Sequence, residues 1–273
     1  MEYAVRQRLG TGKDDPIFYS QLGIFKLIVI APDSITFNSI DPVPVPENMP
    51  PLNLYDLVHF KNLGSIQVDS LPLEGLETLG KCVELQQIQL SRIETLDKID
   101  FLAGLPRLVT LSVYENENLA DFSPLMEMTS LKNLDLHRCG LQDISFLKDL
   151  SRLTVVSLHN NYITDISPLL GLDKILELDL RANRIEDLST ISSLINLNKL
   201  RLDANSITDP APISGLANLQ MLNLDYNQIT DLSSLKELPS LTLLRIRHNP
   251  KLMADQVSSL SRRLPESCVI EWA

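Results

Sequence analysis

Aromatic residues make up only 5% of this 273-residue chain, so any hydrophobic core has to be built from aliphatic side chains. Cysteine is nearly missing as well. Cys82, Cys139 and Cys268 are odd in number, widely spaced, and form no Cys-x-x-Cys pair. That arrangement argues against a zinc site or a disulfide framework and fits reduced thiols in a cytosolic setting. No block of Lys and Arg occurs, and the net charge is −11. Such a chain repels nucleic-acid phosphates and anionic membranes; its acid excess favours solubility, or a partner with a basic surface. Long hydrophobic runs are also lacking. The best one, Ile24 to Ala31, contains Lys26, is too short to span a bilayer and comes late for a signal peptide. The chain reads as non-secreted and cytoplasmic, although a protein trimmed of its leader reads the same way.

Catalytic signatures are equally sparse. Gly10-Thr-Gly-Lys-Asp14 resembles a fragment of a phosphate loop, but Gln7 stands where the first glycine is needed and Asp14 where Ser or Thr is needed. No serine or cysteine sits in a nucleophile elbow. Nucleotide binding and catalysis are not expected, and no cofactor is implied.

What the chain does have is a repeat. From Leu153, apolar residues follow at plus 3 (Val156) and plus 5 (Leu158), Asn161 falls at plus 8 and Ile163 at plus 10, and Leu172 ends the unit. Steps of 22 restart the series at Ile175, Leu197, Leu219 and Leu241, with Asn183, Asn205, Asn227 and Asn249 at plus 8. Backwards, Leu131 carries Cys139 at plus 8 and Leu108 carries Asn116; Leu85 and Leu63 begin two weaker units. Nine units thus cover residues 63–252, about seventy per cent of the chain.

In Leu-x-x-Leu-x-Leu the last two leucines alternate as in a strand with one buried face. The plus-8 Asn donates and accepts at once, so stacked copies can satisfy backbone groups left inside by the turn. Cys139 is a tolerated substitute there. The Asp-Ile-Ser-Pro-Leu segment suits a capped turn, and the few remaining residues leave room for 3₁₀ turns rather than a long helix. The expected fold is an α/β solenoid: an arc with a parallel sheet on its concave face and short 3₁₀ turns on its convex face.

Units such as Asn161-Asn-Tyr-Ile-Thr-Asp-Ile-Ser-Pro-Leu169 and Asn227-Gln-Ile-Thr-Asp-Leu-Ser-Ser-Leu235 resemble the 22-residue leucine-rich repeats of bacterial internalins, and of the leucine-rich regulatory subunit of a eukaryotic protein phosphatase. The resemblance implies protein binding through the concave sheet and no catalysis. Residues 253–273 look like the C-terminal cap of this family. Val257, Leu260 and Leu264 have helical spacing, Arg262 and Arg263 suit the negative helix end, Pro265 stops it, and Val269 to Trp272 reads as a last strand. The signal peptide, helical N-terminal cap, immunoglobulin-like region and surface anchor of secreted internalins are not seen, which speaks against an extracellular role. Residues 1–62 do not repeat. Ile24–Ile30 and Ser34–Ile40 read as strands, residues 42–51 with five prolines as an extended tether, and the whole as an N-terminal cap or a small separate module.

Side chains at plus 2, plus 4 and plus 6 are expected on the concave face, with plus 7 at its rim. The plus-6 column reads Asp69, Ser91, Tyr114, His137, His159, Arg181, Asp203, Asp225, Arg247, and the plus-4 column includes Asp135, Ser157, Asp179, Arg201, Asn223 and Arg245. Neighbouring opposite charges (Asp179 with Arg201, Arg181 with Asp203, Asp225 with Arg247) suggest a partly self-paired ladder. Tyr114, His137, Val155, His159, Arg181, Arg201, Met221, Tyr226 and Arg245 are the expected partner-binding residues. His137, His159 and Asp135 lack a third ligand of evident geometry, so no metal is expected. The leading reading is a monomeric protein-interaction scaffold or regulatory adaptor that takes a protein partner. A secreted adhesin, or an enzyme accessory with its chemistry in residues 1–62, are the alternatives.

Overall fold

The computed structural model describes residues 2–12, 22, 24–31, 34–38, 43–44, 52–70 and 73–272. The chain forms two compact units, residues 1–131 and 132–273.

In the second unit the strands are β9 (Asn133–Asp135), β10 (Val155–Ser157), β11 (Glu177–Asp179), β12 (Lys199–Arg201), β13 (Met221–Asn223), β14 (Leu243–Arg245) and β15 (Val269–Glu271). They pair in parallel, and from β10 to β14 residue n lies opposite residue n+22. The repeat period is therefore the sheet register. The unit-starting residues Leu131, Leu153, Ile175, Leu197, Leu219 and Leu241 are at most 1% exposed, as are the plus-5 leucines Leu158, Leu180, Leu202 and Leu224. Each such side chain contributes roughly 1.5–3 kcal/mol by leaving water. Between strands run short 3₁₀ turns such as Ser167–Leu169, Ser189–Ser193 and Ala211–Ile213. Each is set up by an Asp one residue ahead of its cap. Oδ1 of Asp143, Asp165, Asp187 and Asp209 accepts the N–H two residues on at 2.8 Å. At Asp231 the Ser233 hydroxyl and N–H hold the carboxyl below the usual carboxylate range.

The asparagine column binds coil to coil. Asn183 Oδ1 accepts from the Ile163 N–H of the preceding coil (3.1 Å), and its Nδ2 donates to Leu158 (3.1 Å) and Leu180 (2.9 Å) carbonyls. Asn205, Asn227 and Asn249 repeat this pattern. At Cys139 the bond from thiol to the His137 carbonyl is long, at 3.5 Å. Asn161 compensates by accepting both the Cys139 and Leu141 N–H groups at 3.0 Å.

One regularity had no signal in residue type. Every plus-7 residue, from Ser70 through Arg92, Glu115, Arg138, Asn160, Ala182, Ala204 and Tyr226 to His248, has φ between 52° and 56°. None is glycine. This left-handed step aims the plus-7 N–H at the plus-6 carbonyl of the next coil, as in Ala182 to Asp203 (2.8 Å) and Tyr226 to Arg247 (2.9 Å). The ladder gains one bond beyond the strand, which offsets the local strain.

In the first unit β5 (Ser65–Asp69), β7 (Gln87–Ser91) and β8 (Thr110–Tyr114) pair in parallel, and the short β4 (Leu52–Asn53) and β6 (Leu73–Glu74) pair in parallel with each other. The units starting at Leu85 and Leu108 carry 23 residues. The additional residue is taken up just after plus 8, where Leu96 N–H turns back to Ile93 (2.9 Å) and Leu119 N–H to Asn116 (3.3 Å). Asn118 Nδ2 ties the two turns by donating to Glu94 (2.9 Å). Successive 3₁₀ turns Leu76–Lys81 and Asp100–Gly104 approach closely, because a Cβ on Gly80 would sit 2.7 Å from the Phe101 carbonyl and one on Gly104 2.8 Å from that of Gly80.

The non-repeating segment extends this sheet. β1 (Leu27–Ala31) starts three residues later than expected and joins β5 in parallel. Lys26 carbonyl accepts from Gly64 and Ser65 just as Gly64 accepts from Gln86 and Gln87. β2 (Ser34–Phe37) reverses against β1, and β3 (Val43–Pro44) against β2. Part of the proline segment expected to lack ladder bonding is thus paired; Pro44 is tolerated because β3 is the last strand, where a missing N–H costs nothing. The rest of residues 42–51, and Lys13 and Asp14, lie outside the described residues. Phe25, Phe37 and Phe60 concentrate the scarce aromatics here, with ring centroids 4.6 and 5.7 Å apart. The helix α1 (Glu2–Leu9), which periodicity did not suggest, buries Ala4 and Val5.

At the other end, α2 (Ala254–Ser261) buries Val257 and Leu260 and begins with Gln256 accepting the Met253 N–H (3.0 Å). Arg263 does more than meet the helix end: it donates to the carbonyls of Ser233 (2.8 Å) and Leu232 (3.2 Å), fastening the helix to the repeat that starts at Leu219.

Candidate interaction face

Alternation along each strand sends the plus-3 and plus-5 residues inward and the plus-2, plus-4 and plus-6 residues to the opposite face. In the second unit the expected residues all lie on that face or its rim. Val155 is 39% exposed and Tyr226 59%, while His137, His159, Arg181, Arg201, Met221 and Arg245 are part-exposed. In the first unit Tyr114 is part-buried, its hydroxyl accepting the Gln89 amide (3.0 Å).

His137 and His159 stack with ring centroids 4.3 Å apart and planes at 13°. Asp135 Oδ1 lies 2.8 Å from His137 Nδ1, and Asn160 Nδ2 2.6 Å from His159 Nδ1. Burial holds His159 below the ordinary imidazole value; Asp179 works against this, His137 and Arg181 with it, and Asp135 against it. Among the described residues, no three His, Cys, Asp or Glu side chains are grouped so as to hold a metal ion. Further along, Tyr226 and His248 stack at 4.1 Å, both in the left-handed plus-7 position that lifts them to the rim.

The charged ladder is real, with one change of partner. Arg201 reaches Asp179 (3.3 Å) and Arg247 reaches Asp225 (3.0 Å), as their columns imply. Arg181 was expected beside Asp203 but pairs through Nε with Asp179 (3.4 Å), two residues back on its own strand. Asp203 instead accepts from Asn223 (2.8 Å). Burial pushes the Asp203 carboxyl up, reinforced by Asp179 and Asp225 and opposed by Arg181. Lys199 pairs with Glu177 (3.0 Å); both belong to the plus-2 column, which is the signal that would have added them to the expected set.

Val155, Ser157, His159, Glu177, Asp179, Arg181, Lys199 and Arg201 surround a shallow depression of about 210 Å³. A second depression, about 280 Å³ and lined by Leu73, Thr95, Leu96, Lys98 and Phe101 among others, lies on the turn side of the first unit and had no counterpart in the sequence reading.

Residues 129–171 match a family model of leucine-rich repeats in two copies, and residues 195–250 match a second leucine-rich-repeat model. Among solved structures, an internalin, InlF, from Listeria monocytogenes is similar at 22% identity and a TM-score of 0.61, over 99% of this chain and 89% of that one. Internalin C2 from the same organism is similar at 24% identity and a TM-score of 0.57, over 89% and 90%. The TLR13 chain of a TLR13–ssRNA13 complex is similar at 26% identity and a TM-score of 0.59, over 72% of this chain and 31% of that one. No curated protein sequence matches. Residues 129–171 and 195–250 are thus leucine-rich repeats, and the chain has the leucine-rich-repeat fold. Its fold, a parallel sheet backed by 3₁₀ turns, is the one seen in the internalins.

Proposed function

We propose that this protein is a non-enzymatic interaction scaffold whose protein partner lies along the polar sheet face. The observation that carries this reading is the exposure of Val155 and Tyr226 on a face whose frame is rigidly bonded from behind. Large apolar groups held by such a frame lose little freedom on binding, and they sit among amphipathic neighbours of the kind that anchor interfaces. Tyr114, His137, His159, Arg181, Arg201, Met221 and Arg245 complete the surface. The leucine-rich-repeat fold itself supports a scaffold role.

The domain plan follows: a cap in residues 1–62, repeats in 63–252 and a second cap in 253–273. Three free thiols, with Cys82 pushed up to about 11 by burial, favour a reducing, cytoplasmic setting; we take the chain as a monomer that binds a protein, its net charge of −11 disfavouring nucleic acid. The test is quantitative affinity capture with the parent and with Val155→Asp and Tyr226→Ala. A partner lost with either variant, while the melting temperature holds, supports the scaffold; partners retained at equal yield by both refute it.

A further inference from the structure

The chain is strongly acidic, which by itself points to a basic partner. The face of the second unit reverses that expectation. The two aspartates that the arginines engage lie low, Asp179 with its side chain 11% exposed and Asp225 6%, whereas the side chains of Arg181, Arg201 and Arg247 are 34–40% exposed; Glu177, beside Lys199, is the exposed carboxylate at 46%. A partner approaching Asp179 or Asp225 meets guanidinium groups first.

Within the 210 Å³ depression three cations, Arg181, Lys199 and Arg201, stand against two carboxylates, Asp179 and Glu177. The donors are not used up. Arg201 gives Nη1 to Asp179, and Arg181 approaches the same oxygen through Nε, so its terminal nitrogens have no partner among the described residues. Two forks converging on one buried carboxylate are held in place by it and keep N–H groups for another acceptor. Exposed Val155 forms the apolar wall beside them.

We infer that the depression receives an acidic side chain of an extended segment of the protein partner, its carboxylate over Arg181 and Arg201 and a neighbouring apolar side chain on Val155. This rests on the scaffold reading and adds the partner's chemistry to it. A single carboxylate engages the cations locally; a run of phosphates would also meet the field of a chain carrying −11 and lacks an apolar group for Val155.

The experiment uses fluorescein-labelled, end-blocked peptides alternating Glu with Leu, their Gln/Leu and Lys/Leu counterparts, and a single-stranded RNA, titrated into the full chain by anisotropy. The Glu/Leu peptide should bind best, and less well as salt rises. Arg181→Gln and Arg201→Gln should each weaken it by about three- to tenfold. Lys199→Gln, whose partner Glu177 is itself well exposed, gives a variant whose folding is not at issue and should weaken it in the same direction. Equal or tighter binding of the Lys/Leu peptide or of RNA overturns the inference. If the Gln/Leu peptide binds as well as Glu/Leu and Val155→Asp abolishes both, the charge inference falls and the scaffold reading stands. If no substitution on the face changes any binding, both fall.

Discussion

Replacing Asn183 by alanine tests the asparagine column, and its cost can be worked out bond by bond. The Ile163 N–H has Asn183 Oδ1 as its acceptor, and Ile163 is 0% exposed, so water cannot take over. The two carbonyls fare better. Leu158 keeps the Asn161 amide at 2.8 Å and Leu180 keeps that of Asn205 at 3.0 Å. One buried donor is stranded and two acceptors are merely thinned, which gives about 2 kcal/mol, within the 1–3 kcal/mol for an unsatisfied buried group. Asn227, itself 4% exposed, should cost more than part-exposed Asn183. Urea unfolding followed by circular dichroism measures the loss, and amide exchange at Ile163 should accelerate. Asn183→Asp gives a sharper form: the acceptor for Ile163 survives, but a carboxylate faces two carbonyls, so the variant should be weaker than alanine at neutral pH and recover in acid. An alanine variant within 0.5 kcal/mol of the parent, or an Asp variant indifferent to pH, would refute the reasoning (about 0.5 kcal/mol is the usual scatter for neutral substitutions).

Three further outcomes follow from the geometry. Ala182→Val places a β-branched residue at φ 52° and should cost about 1–2 kcal/mol, while Ala182→Gly should be neutral or slightly stabilising; thermal melts decide it, and a well-tolerated valine contradicts the strain argument. Gly104→Ala drives a Cβ against the Gly80 carbonyl and should cost about 1–3 kcal/mol, with the chain's melting temperature as readout. Because His159 is held below its ordinary value by burial, the unfolded chain takes up the proton first as pH falls below about 6.5. Stability should therefore drop as pH falls through that value towards the folded-state one, and His159→Gln should flatten this part of the pH profile; an unchanged profile is the disproof.

The leucine frame was legible because burial imposes a period, and the asparagine column because few side chains donate and accept together. The sheet-face residues followed from alternation alone. Other features depended on details that residue type does not encode. The plus-7 residues are Ser, Arg, Glu, Asn, Ala, Tyr and His, so nothing in their chemistry announces a left-handed backbone; only their shared position does. Arg181 chose Asp179 over Asp203 because a guanidinium is long enough to fold back along its own strand. β1 has Phe25, Ile28 and Ile30 at the repeat's apolar spacing but no asparagine at plus 8, and its place in the sheet shows in the bonds of Lys26 to Gly64 and Ser65. The 23-residue units looked like weak matches, yet they differ from their neighbours by a single turn.

That turn has a consequence for how such a protein changes length. An insertion of one residue is absorbed where Leu96 and Leu119 fold back, outside the strands, and β7 and β8 stay paired across such a step. Because each asparagine grips only the loop before it, a whole loop can be duplicated or deleted and its neighbours will find the same handholds. The wall can be lengthened or shortened in whole loops, and its chemistry rewritten loop by loop, without redesigning what lies behind it.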